Sequence, residues 1–242
     1  MKCISNKTVF LLFALVFART QCDQVDRVNI YCDARSDSYE PPTFKYTLNV
    51  GANKIKDSCP PDLIKRKSIK VSGSLKLLYE DTFKDITNLE SINLSKVGLE
   101  EIQPGTFNDL LQLRTLYLEG NTLQEIKNGT FVNLRLFGLY CGRSSISVLQ
   151  PGAFQNVTSA ELNLRSNKLT EIRTGVFHSV RVRTLILAEN EISRLEPGAF
   201  ASLQEMYDAG IILELSNNRI ESLGAQIFDN EHIYALFLNN NS

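Results

Sequence analysis

The chain has 242 residues, 43% of them hydrophobic, and its 26 Lys and Arg against 27 Asp and Glu leave a formal net charge of −1. A balance so close to neutral argues against a general nucleic-acid binder, whose affinity rests on neutralising phosphates. The two histidines, His178 and His232, have no metal-ligand spacing, and no GxSxG, P-loop, Rossmann glycine motif or HExxH occurs, so no catalysis, metal or cofactor is expected.

Reading from the N-terminus, Lys2 and Lys7 precede an apolar run from Val9 to Ala18 that is too short to cross a bilayer. Val16-Phe17-Ala18 has small residues at cleavage spacing, so residues 1–18 read as a secretory signal peptide. No other segment is long or apolar enough for a membrane helix, and no lipid-anchor signal follows. Secretion would place Cys22, Cys32, Cys59 and Cys141 in an oxidising compartment. Residues 19–67, which hold the first three, read as an N-terminal cap before a repeated region at 68–242.

The repeat is set by Phe83, Phe107, Phe131, Phe154, Phe177, Phe200 and Phe228, spaced 24, 24, 23, 23, 23 and 28 residues apart. Such a period marks a solenoid, in which each unit buries its apolar face only against its neighbours. Leu113, Leu116, Leu118, Asn121, Leu123, Ile126 and Phe131 define the unit. It recurs as Leu162, Leu164, Asn167, Leu169, Ile172, Phe177, then Leu185, Leu187, Asn190, Ile192, Leu195, Phe200, then Leu213, Leu215, Asn218, Ile220, Leu223, Phe228. Leu116-Tyr117-Leu118 alternates as a short strand with leucines inward, and stacked strands of this kind form a parallel sheet. The asparagine column suits an amide bonded to backbone at a turn. The glycines two residues before most of the phenylalanines mark a bend on the return arm.

These motifs resemble the extracellular leucine-rich repeat family, with its LxxLxLxxNxLxxIxxGxF consensus, as found in Toll- and Slit-type ectodomains. The resemblance covers roughly Ile69 to Ser242, about seven repeats and the opening of an eighth. It implies an α/β-type solenoid: a horseshoe with short parallel strands on the concave face and irregular or short helical convex segments. It also implies a disulfide-braced cap, within which Cys32–Cys59 is favoured over Cys22–Cys32. Cys141 occupies a slot that is leucine elsewhere and reads as a buried small hydrophobe.

In the family the concave sheet binds the partner. The residues that the repeat points outward there are Lys70, Asn93, Tyr117, Tyr140, Asn163, Ile186, Glu214 and Phe237. The ligand-binding candidates are Tyr117, Glu119, Tyr140, Asn163, Arg165, Ile186, Glu214 and Phe237, centred on two tyrosines expected about 5 Å apart on adjacent strands. The plainer reading of the tyrosines is cross-strand aromatic pairing. Asn93, Asn128 and Asn156 begin N-glycosylation sequons, with a terminal one at Asn240, and a glycan on Asn93 would restrict the concave face. About five extra residues around Glu205 to Gly210 are expected to protrude at one edge of the horseshoe. The chain ends within a repeat, with no C-terminal cap. Either the polypeptide continues or a partner or second copy covers the end, which gives a homodimer through it as one option.

The expected protein is a secreted or cell-surface binding module, cell-surface if the chain is part of a longer receptor. Its expected partner is a protein ligand or co-receptor and no nucleic acid. The alternatives are a self-associating structural matrix protein or a non-catalytic subunit of a secreted complex.

Overall fold

The computed structural model describes residues 27–33, 44–49, 67–80, 82–84, 86–228 and 232–241. The segment 1–18, Cys22 and Cys59 lie outside the described residues, and with them the signal-peptide reading and both alternatives for the disulfide. Cys32 lies on a strand, between Phe44 and Ile69 of its two neighbours.

Each repeat contributes one strand to a parallel sheet. In order these are Ser68–Gly73, Ser91–Asn93, Thr115–Tyr117, Arg135–Tyr140, Thr158–Asn163, Arg181–Ile186, Ile211–Glu214 and Ile233–Phe237. Their register is fixed by burial, because a slip of one residue would turn the inward leucines to solvent. Ile69, Ile92, Leu116, Leu139, Leu162, Leu185 and Leu213 stand opposite one another in turn, and all are fully buried. Each such side chain contributes roughly 1.5–3 kcal/mol. At the N-terminal edge Arg27–Asp33 pairs antiparallel with Ser68–Gly73 and with Phe44–Asn49, so the open edge of the first repeat strand is occupied by a hairpin.

The return arms contain no helix among the described residues. They are turns and two-residue parallel bridges, such as Leu77–Leu78 with Glu101–Ile102 and Glu171–Ile172 with Arg194–Leu195. The expected convex segments are therefore the irregular kind. Behind the sheet, the seven periodic phenylalanines form one continuous stack with ring centroids 5.3–6.1 Å apart. A repeated glycine makes this approach: Gly129 has φ 79° and donates to Gly152, which has φ 79° and donates to Gly175. In the last full repeat Gln226 takes the glycine slot with φ 64°, an uncommon conformation for a residue with a Cβ.

The asparagine column is a hydrogen-bonding ladder. Asn167 Nδ2 donates to Cys141 O at 2.9 Å and Leu164 O at 2.8 Å, while Oδ1 accepts the N–H groups of Ser144 and Ile146, both at 3.0 Å. Every polar group of this buried amide is thus satisfied by backbone, which is what its burial requires. Asn121 makes the equivalent four bonds two repeats earlier. Between them the repeat has no asparagine. Ser144 fills the slot, fully buried, with Oγ 2.8 Å from Leu118 O and accepting Asn121 N–H at 3.3 Å. The same repeat carries Cys141, a free thiol that is fully buried, as its leucine slot implied. Burial pushes its pKa well up and keeps it protonated.

Candidate functional site

The residues between the inward leucines form one transverse row on the concave face. Lys70, Asn93, Tyr117, Tyr140, Asn163, Ile186, Glu214 and Phe237 are successive register partners across the eight strands. The parallel pairing therefore brings all six of the predicted strand positions, from Tyr117 to Phe237, into line.

At its centre Tyr117 and Tyr140 stack with centroids 5.1 Å apart and planes 10° from parallel. This is the near-parallel stacking that two strands one step apart permit. Gly138, two residues earlier on the same strand, is needed for it. A Cβ at Gly138 would lie 2.4 Å from Cε2 of the Tyr140 ring, so the ring covers the backbone of its own strand. Burial raises the Tyr140 phenol above its ordinary pKa, helped by the charges of Glu161 and Glu119, and the group stays a neutral donor. Glu161 and Asn163 are tied by a 3.0 Å bond from Asn163 Nδ2, and Asn163 Oδ1 accepts Arg165 N–H at 3.0 Å.

Arg165 and Glu119 stand just past the strands, where the chain turns. Arg165 bonds Glu189, which also accepts from Ser166. These bonds, Arg165 first, hold the Glu189 carboxyl at about 2, well below the usual carboxylate range. This cluster was not anticipated from sequence. It arises because each repeat leaves its strand through one left-handed residue in the same slot: Lys96, Gly120, Arg143, Ser166, Glu189, Asn217 and Asn240, with φ from 54° to 70°. Gly120, Asn217 and Asn240 are of residue types that favour that conformation, whereas Lys96, Arg143, Ser166 and Glu189 are not. Lys96, Arg143, Ser166, Glu189 and Asn217 are held by a backbone bond to the next repeat, as in Arg143 N–H to Arg165 O at 2.9 Å. Ile186 and Glu214 are half-buried in the row, and Phe237 is 41% exposed.

The candidate glycosylation sites Asn93, Asn128 and Asn156 fall in different settings. Asn93 lies in the concave row and its Oδ1 accepts Ser95 N–H at 3.0 Å, as an Asx turn. Asn128 is exposed on the return arm, and its side chain passes over Gly152. Asn156 is exposed at the edge where the chain re-enters the sheet, and Nδ2 donates to Asn133 Oδ1 at 3.2 Å. The extra residues after Glu205 also lie at that edge. Gln204–Glu205 pairs with Arg181 and Val182, the chain loops out, and pairing resumes at Ile212 opposite Thr184.

Known proteins place the fold. The leucine rich repeat family model matches residues 71–123, 87–140 and 160–206. No curated protein sequence matches the chain significantly. Among solved structures, TLR13 in a crystal structure of a TLR13–ssRNA13 complex aligns with a TM-score of 0.59 at 24% identity, over 69% of this chain and 24% of that one. This chain thus spans about a quarter of the length of TLR13. Toll from the Drosophila Toll–Spatzle complex aligns over 70% of this chain and 31% of its own, with a TM-score of 0.36 at 18% identity. The family match lies within the run of repeats that carries the asparagine ladder and the phenylalanine stack, and these repeats are leucine-rich repeats stacked as a solenoid.

Proposed function

We propose that this is an extracellular, non-catalytic recognition protein that binds a protein ligand or co-receptor through its concave row, secreted or held at the cell surface. The observation that carries this reading is the stacked pair Tyr117–Tyr140. It gives a rigid, half-buried aromatic platform with a phenol donor, flanked by the acidic Glu119 and Glu161 and the basic Arg165. Aromatics held in one rotamer lose little entropy on binding and dominate protein interfaces. Asn163, Ile186, Glu214 and Phe237 extend the surface along the row. Glycans on Asn93, Asn128 and Asn156 belong to the same reading, as does an extracellular location. TLR13 was solved with ssRNA13, whereas the near-neutral charge of this chain supports a protein ligand.

A photo-crosslinking residue at Glu119, compared with one at Arg173 on the return arm, tests this in extracts and media of the producing cells. A discrete adduct of a second protein is expected from position 119 and not from 173, and Tyr140→Ala should abolish it. Equal labelling at both positions would count against the concave site. An adduct of twice the chain mass would favour the self-associating alternative.

A further inference from the structure

Away from the concave row, the edge where the chain enters the sheet carries a cleft of about 880 Å³. Its cause is local: Arg135–Tyr140, Thr158–Asn163 and Arg181–Ile186 run six residues each, where the strands of the two preceding repeats run three. The extension adds a row Arg135, Thr158, Arg181 and Gln204 outside the leucine core. Arg114, Arg135 and Arg181 line the cleft, and among its described lining residues there is no carboxylate. In a chain whose 26 basic and 27 acidic residues nearly balance, that segregation is local and strong. Arg181 is oriented by a 2.9 Å bond to Gln204. The apolar part of the lining includes Phe137, 65% exposed, and Tyr207, 80% exposed, with Met206 buried beneath. Tyr207 is carried by the extra residues after Glu205, held in the left-handed conformation at φ 63°, and Glu205 Oε2 accepts Gly210 N–H at 2.8 Å to close the loop.

We propose that this cleft is a second binding site, for an extended acidic segment of a polypeptide that also carries aromatic or large aliphatic side chains. Guanidinium groups match carboxylates in paired, planar geometry. Exposed Phe137 and Tyr207 add apolar contacts that a peptide answers and a sulfated glycan, with charge but no apolar side chains, answers poorly. Arg135 and Arg181 lie two strand steps apart, about 10 Å, close to three residues of an extended chain. The site does not depend on the concave row, so either can fail alone. Asn156 stands in the cleft wall, and a glycan there would obstruct the entrance.

The test uses the full chain and its Asn156→Gln variant, with fluorescence anisotropy of a labelled pool of octapeptides built from Glu, Asp, Phe and Leu. Matched pools with Lys for the acids, a sulfated octasaccharide and a single-stranded RNA octamer serve as the other probes. Saturable binding of the acidic pool to Asn156→Gln is expected, weakening as salt is raised. Arg135→Ala with Arg181→Ala should weaken it about tenfold or more. Tyr207→Ala should weaken it by a smaller factor, and the return-arm control Arg173→Ala should leave it unchanged. No saturable binding, equal loss with Arg173→Ala, or preference for the octasaccharide or the RNA would overturn the proposal.

Discussion

Replacing Asn167 by alanine puts the backbone ladder to the strongest test. The substitution removes two acceptor and two donor interactions at once: from Ser144 N–H and Ile146 N–H, and to Cys141 O and Leu164 O. All four backbone partners lie in the interior of the stack. At about 1 kcal/mol net per bond the loss is about 4 kcal/mol, a large share of the 5–15 kcal/mol typical of a folded domain. Leaving the groups buried without partners would raise the cost, while a water entering the emptied space would lower it. Urea unfolding followed by circular dichroism reads the loss, and amide exchange localises it, with Ser144 and Ile146 exchanging faster than in the parent. Asn167→Ser should recover part of the stability, because Ser144 already occupies the equivalent slot one repeat earlier with a bond to Leu118 O. A loss below about 1 kcal/mol, with Ser144 and Ile146 still protected, would falsify the view that the asparagine column holds the repeats together.

Thr130 presents the opposite case: its Oγ1 is buried with no hydrogen-bond partner, so Thr130→Val keeps the shape and removes an unsatisfied hydroxyl. A gain of about 1 kcal/mol in urea unfolding is expected, and a clear loss would show that the hydroxyl has a partner in solution. Glu189 should titrate at about 2 by carboxyl NMR, and Arg165→Gln should return it towards the ordinary carboxylate value. Because the folded-state pKa is depressed, its contribution is complete above the ordinary value of 4.5 and is lost as the pH falls through about 2. With the carboxylate 41% exposed, that contribution is below about 1 kcal/mol. A titration unmoved by Arg165→Gln would show that the pair does not form in water.

The repeat could be read directly because its periodicity is imposed by burial. Ile92, Leu116 and Leu139 must face the interior in register, Phe131 and Phe154 must meet behind them, and Asn121 and Asn167 must satisfy the turn between. Each of these is a chemical demand of one position, repeated at a fixed interval, so it is written in the chain. Tyr117 and Tyr140 could be paired for the same reason, since register alone makes them neighbours. What lies between the repeated positions could not be read this way. Lys96, Arg143 and Glu189 adopt left-handed backbone because the neighbouring repeat supplies the bond that holds them, and nothing in those side chains announces it. Ser144 replaces an asparagine through a contact that becomes visible only when Leu118 lies beside it.

Sequence by itself therefore determined the solenoid, its core and the line of the concave row, because those follow from which side chains must avoid water. Tertiary structure alone decided how surface residues from separate repeats meet: Arg165 with Glu189, Gly138 beneath the Tyr140 ring, and three arginines with Phe137 and Tyr207 around one cleft. Exposed positions are free of the burial constraint, so they leave no period in the chain, and only the stacking of one repeat on the next brings them together.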